Sequence, residues 1–146
     1  MTTSDAFRLL VPVADSVTVR NTVAYVVDVA AEAATDRQVE LHFVDVASTR
    51  AVDPDAPEEL AAASDLLDRV EIWVEEDTGG EPPSNLSVTT EVLGADQYLF
   101  SPGDYADVLL AYADEHDVDR IVLDPEYSPG GAAPMLRPLA IELARD

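Results

Sequence analysis

The chain has 146 residues, enough for one domain, with 30 acidic residues against 8 basic ones, a net charge of −22 and a pI near 4.1. All the basic residues are Arg and Cys is absent, which excludes disulfides, zinc–thiolate centres, iron–sulfur clusters and cysteine nucleophiles. Nucleic acids and anionic membrane surfaces are excluded as partners, because this charge repels both.

The acidity does not signal disorder. The chain is 47% hydrophobic and its acids are dispersed, with no block of like charges. A folded protein with such a carboxylate coat suffers self-repulsion in dilute buffer. At molar salt the Debye length falls to about 3 Å and the penalty fades. An ordinary acidic protein would explain the charge but not the missing Lys, so the expected setting is the cytoplasm of a salt-in halophile. The N-terminus lacks a basic, apolar signal segment. The most apolar stretch, Val23–Ala34, is interrupted by Asp28 and Glu32, so no membrane insertion by this segment is expected.

Arg8–Val13 reads as a strand buried on both faces, with Pro12 as a warning because proline lacks the ladder N–H. Ser16 is the expected cap of a helix over Val17–Ala34, whose stripe is Val19, Val23, Val26, Ala30 and Ala33. Gln38–Val46 alternates as a second strand, with His42 inside it, and Ala47–Pro57 reads as a loop. Asp55 and Glu58 form a capping-box pattern before a second helix carrying Leu60, Ala63, Leu67, Val70, Trp73 and Val74. Thr78-Gly79-Gly80 ends it. Leu86–Leu93 is a third strand, followed by a connection holding Tyr98 and Phe100. Ser101-Pro102-Gly103-Asp104 starts a third helix through Tyr105, Leu109 and Tyr112 to about His116. Asp119–Asp124 is a fourth strand, and a loop with Gly130 and Gly131 follows. The spacing of Leu136, Leu139, Ala140 and Leu143 predicts a last helix, with Pro138 in its first turn.

The alternation of strands and helices gives an α/β fold: a Rossmann-like parallel sheet of four strands, helices on both faces, in a single domain over residues 1–146. In such sheets ligands bind outside the carboxyl ends of the strands. Asp15, Asp45 and Asp124 stand at three of those ends. Asp there is also an ordinary cap and turn residue. No nucleophile–base pair is evident, and a P-loop is excluded by the absence of Lys, so no catalytic role is expected. His42 and His116 do not have the spacing of a metal pair. His116 reads as a helix C-terminal residue favoured by the dipole. Trp73 reads as core or interface packing. Arg20 is read as paired with an Asp or facing solvent.

A first strand ending V-P-V-A-D-S at Val11–Ser16, a second strand H-F-V-D-V at His42–Val46 and the segment V-D-R-I-V-L-D at Val118–Asp124 together resemble the universal stress protein superfamily. More narrowly, Leu10–Val27 and Asp119–Pro129 resemble the stress-protein-like domain found in one component of haloarchaeal monovalent cation/proton antiporters, where such a domain precedes a membrane segment. The superfamily resemblance implies a five-stranded parallel sheet, often a homodimer, and in nucleotide-binding members an Asp at the end of the first strand, here Asp15. It also implies a phosphate loop of the form G-x-x-G, nine residues, then G-S or G-T. The sequence departs there: Pro125, Pro129 and Pro134 remove donors and Glu126 brings the wrong charge, with Arg137 the nearby cation. ATP is therefore expected to bind weakly or not at all. The fifth strand also looks missing, which makes the chain read as the front of a longer polypeptide.

The expected function is a non-catalytic regulatory or interaction domain associated with a monovalent cation/proton antiporter, at the cytoplasmic face of the membrane and in contact with the antiporter's membrane subunits. Tyr98, Phe100 and Tyr127 are its candidate partner contacts. The alternative is an adenine-nucleotide-binding universal stress protein with Asp15, Val44, Ser128, Gly130 and Gly131 as its site.

Overall fold

The centre of the molecule is β1 (Phe7–Pro12), an apolar strand whose Leu9, Leu10 and Val11 are fully buried. A computed structural model describes residues 6–14, 17–49, 54–95, 102–123 and 140–143. In chain order the remaining elements are α1 (Val19–Ala33), β2 (Val39–Thr49), α2 (Ala56–Asp77), β3 (Leu86–Ala95), α3 (Pro102–Glu115), β4 (Arg120–Leu123) and β5 (Ala140–Leu143). The sheet order is β3-β2-β1-β4-β5 and every pairing is parallel.

Strand side chains alternate between faces, and the sequence obeys that period strictly. Leu9, Val11, Val13, Leu41 and Phe43 face α1 and α2, where Val23, Val26, Ala30, Leu66, Val70 and Val74 complete one layer. Leu10, Val44, Leu93, Ile121 and Leu123 face α3 and meet Ala106, Leu109, Tyr112 and Ala113. Helices thus cover both faces, as the sequence pattern implies. The layer under α1 and α2 contains about twice as many buried residues as the layer under α3, among those described.

The Rossmann-like parallel architecture and the first four strands follow the sequence reading. The end of the chain does not. The helix expected over Leu136–Leu143 is overturned: Ala140–Leu143 is a strand, and it pairs with β4 from Arg120↔Ala140 to Leu123↔Leu143. Four residues reading Ala-Ile-Glu-Leu are too short to separate the two periods, so local pattern could not choose. The unpaired side of β4 chose, because a buried strand needs a hydrogen-bonding partner. The sheet therefore has the fifth strand that had looked missing.

Smaller differences lie at element ends. α1 starts with Thr18 at its cap position, where the Thr18 carbonyl accepts the Thr22 N–H at 3.0 Å. Ser16 lies outside the described residues. α2 begins after Asp55 as expected, with proline in its first turn, but the Asp55 side chain makes no capping hydrogen bond. Its C-terminus closes where Thr78 Oγ1 donates to the Val74 carbonyl and Gly79 and Gly80 take φ of 72° and 86°. β2 runs to Thr49, beyond the expected end at Val46.

Candidate functional site at the carboxyl ends of the strands

The strand order reverses between β1 and β4: β2 and β3 lie to one side with α1 and α2, while β4 and β5 lie to the other. A crevice at the carboxyl end of the sheet is the consequence of that reversal. Its local cause is visible in β1. The N–H groups of Phe7 and Val13 point to β2, donating to the Gln38 and Val44 carbonyls at 2.8 Å. Those of even-numbered residues point to β4, as Arg8 N–H does in reaching the Asp119 carboxylate at 2.9 Å. Pro12 therefore places its missing donor on the β4 side, beyond the last β1–β4 pair at Leu10↔Ile121. The proline anticipated as a difficulty sits where no ladder bond is lost.

Of the residues expected to form a nucleotide site, Val44 is described. Its side chain is fully buried in the layer under α3, and its carbonyl accepts the Val13 N–H. Val44 thereby ties the end of β1 to the middle of β2. Asp15, Ser128, Gly130 and Gly131 lie outside the described residues, as do Asp124, Tyr98, Phe100, Tyr127 and Arg137. Asp15 follows Ala14, which is exposed at the crevice end of β1.

Beside the β2 end a groove of about 460 Å³ opens against α2. Asp45, Glu59 and Asp65 line it with Arg69, over the small side chains of Ala47 and Ala63. Three carboxylates against one guanidinium give it a negative field. No group of three metal-ligating side chains occurs among the described residues.

The most organised polar constellation lies in the middle of the sheet, beneath α3. His42 is 4% exposed; its Nδ1 lies 2.8 Å from the Tyr112 hydroxyl and its Nε2 lies 3.1 Å from Glu40 Oε1. Arg8, directly opposite Glu40 in the β1–β2 register, brings its Nε to 3.2 Å from Glu40 Oε2. The His116 ring stacks on Tyr112 with centroids 4.1 Å apart and lies 5.4 Å from the His42 ring. Burial lowers the His42 pKa below its ordinary value against the opposing pull of Glu40. Burial, aided by the carboxylates of Glu91, Glu115 and Glu40, pushes Tyr112 up to about 12.

Sequence reading treated His42 and His116 as separate, and the fold brings them together. The signals were present. His42 shares the strand face of Val44, and His116 lies one helical turn after Tyr112. On the opposite face, Arg20 pairs with Asp77 through two 2.8 Å hydrogen bonds, which raise its pKa further. Arg20 and Arg69 both lie over the half-buried Trp73, 5.4 and 5.9 Å from its centroid. The Arg20 contacts tie α1 to α2.

No family model matches the sequence, and no curated protein does. Solved structures do match. A universal stress protein from Archaeoglobus fulgidus shares 18% identity over 95% of this chain and 98% of its own, with a TM-score of 0.61. The fold is that of the universal stress proteins. A universal-stress-protein-family member from Burkholderia pseudomallei aligns at TM-score 0.62 and 15% identity over 93% of each chain. A universal stress protein in complex with cAMP aligns at 0.59 and 13% over 94% of each. The superfamily resemblance seen in the sequence is thus matched at the level of the universal stress protein fold. Among the described residues, no helix is long and apolar enough to cross a membrane.

Proposed function

We propose that this chain is a non-catalytic regulatory domain that binds an adenine nucleotide in the crevice between the carboxyl ends of β1 and β4. The observation that carries this reading is the reversal of strand order there, in a fold shared with a universal stress protein solved with cAMP. In the sequence Asp15 follows Ala14 after the end of β1, and Ser128, Gly130 and Gly131 belong to the segment that follows β4. A regulatory role fits the chemistry of the described residues. Their His42–Tyr112 pair joins β2 to α3 in the core, at 4% exposure of each residue, as a structural contact does. Calorimetry with ATP and with cAMP at molar KCl tests the proposal. Binding that Asp15→Ala abolishes supports it; absence of heat with both nucleotides overturns it.

A second reading is favoured by the sequence after β4, where Pro125, Pro129, Pro134 and Glu126 break the phosphate-loop pattern. There the domain serves as a docking module for the membrane subunits of a monovalent cation/proton antiporter in a halophile, with Tyr98, Phe100 and Tyr127 as contacts. Co-purification with those subunits, lost in Tyr127→Ala, supports this second reading. In either reading the domain works as a homodimer.

A further inference from the structure

The buried cluster beneath α3 has a direction. A carboxylate only accepts hydrogen bonds, so Glu40 Oε1 at 3.1 Å requires a proton on His42 Nε2. In the neutral ring Nδ1 is then an acceptor, and the Tyr112 hydroxyl at 2.8 Å donates to it. The chain of bonds runs Tyr112 O–H to His42 Nδ1, then His42 Nε2–H to Glu40, whose other oxygen faces Arg8. It crosses from α3 to β2 and on to β1. It is a polar link between α3 and the sheet in a layer that includes Leu10, Val44, Leu109 and Ile121.

We propose that this link is a proton-sensitive latch: a proton on His42 Nδ1 reverses its bond to Tyr112, strips the hydroxyl hydrogen of its acceptor and loosens α3 from the sheet, while α1 and α2 stay docked. The added proton turns both ring nitrogens into donors. Glu40 still accepts from Nε2–H. Tyr112 must instead accept from Nδ1–H, and its own hydrogen loses the acceptor it had, in a residue only 4% exposed. The groups that set the balance come from every element around the ring. Glu40 on β2 favours the proton. Arg8 on β1 and His116 after α3 oppose it. Glu91 on β3 and Glu115 on α3 act on Tyr112 and favour its keeping the hydroxyl proton. Asp119, ahead of β4, is occupied by the Arg8 N–H. Burial of His42 at mid-sheet makes the charged ring the unfavourable form. α3 is the element that responds because it carries Tyr112. The latch operates whether or not the crevice takes a nucleotide.

Backbone amide hydrogen exchange in molar KCl, read as protection factors corrected for the intrinsic pH dependence, tests it. Between pH 8 and pH 5, protection over Leu109–Glu115 should fall about tenfold, with α1 unchanged. In Tyr112→Phe, α3 should already be weakly protected at pH 8 and should respond little to acid. In His42→Gln the pH response should vanish, and in His116→Gln it should persist. The ring ¹⁵N shifts of His42 at pH 8 should report the Nε2–H tautomer. An Nδ1–H tautomer, a loss of protection shared equally by α1 and α3, or an acid response surviving in Tyr112→Phe would each overturn the latch. The tautomer and Tyr112→Phe decide the matter even where His42→Gln fails to fold.

Discussion

Two hydroxyls in similar burial illustrate opposite outcomes. The Tyr112 hydroxyl is matched to a ring nitrogen at 2.8 Å. The Thr22 hydroxyl, on α1 at 1% exposure, has no hydrogen-bond partner among the described residues. A made bond is worth modestly more than hydration, whereas an unmade one carries the whole desolvation cost. Thr22→Val removes the hydroxyl and keeps the shape, and should raise unfolding stability by about 1 kcal/mol in urea titrations. Tyr112→Phe instead leaves His42 Nδ1 without a donor and should cost about 1–2 kcal/mol in the same measurement. If Thr22→Val destabilised the protein by a similar amount, the hydroxyl would have a partner after all.

Among elements, the turn after α2 and the edge strand β5 show how far sequence carries structure. The stop at Thr78-Gly79-Gly80 was legible because only glycine takes positive φ without cost, and both glycines do so here. No atom stands within 4 Å of a Cβ built at Gly80, so Gly80→Ala tests backbone conformation alone. It should lower stability by about 1 kcal/mol and leave the fold unchanged by circular dichroism. Strand β5 was illegible because its four residues fit two periods and its partner strand is set by the tertiary fold. The alternation of β1 and β2 was legible over longer runs. The His42–Tyr112–His116 cluster fell between these cases: each residue was correctly placed on its element, but the crossing of α3 over β2 is a tertiary fact. Of the expected nucleotide site, Val44 is the residue described, in mid-β2 and in the layer under α3.

For the molecule as a whole, charge sets the conditions under which the rest holds. With −22 charges and all cations Arg, the thermal midpoint should climb steeply from dilute buffer to molar KCl as repulsion is screened. A flat midpoint would remove the halophile expectation. Stability should also vary with pH in two windows. His42 has a folded pKa below its unfolded value of 6.5, so the unfolded chain binds its proton first. Stability is full above pH 6.5 and declines as pH falls through the folded value. Tyr112 is raised from 10.0 to about 12, so its contribution is full below pH 10 and is lost as pH rises from there toward 12. Urea midpoints measured across pH should show both declines, and His42→Gln should erase the acidic one. Among the described residues β5 stands at one edge of the sheet, and an edge strand can pair with a second copy. Light scattering at molar salt should give twice the 15.7 kDa of the chain; a clean monomer would count against the homodimer.

Trp73 is the single tryptophan, and it lies half-buried on the α1–α2 side between Arg20 and Arg69. Its fluorescence is therefore a one-sided optical gauge. It reports solvent reaching the α1–α2 layer and is blind to events beneath α3, where Tyr112 is a buried chromophore. A sample in which α3 has come away would keep its tryptophan emission and still lose tyrosine signal in the near-ultraviolet. Two spectra recorded on one acidified solution would then tell a molecule opened on one side from a molecule that has unfolded.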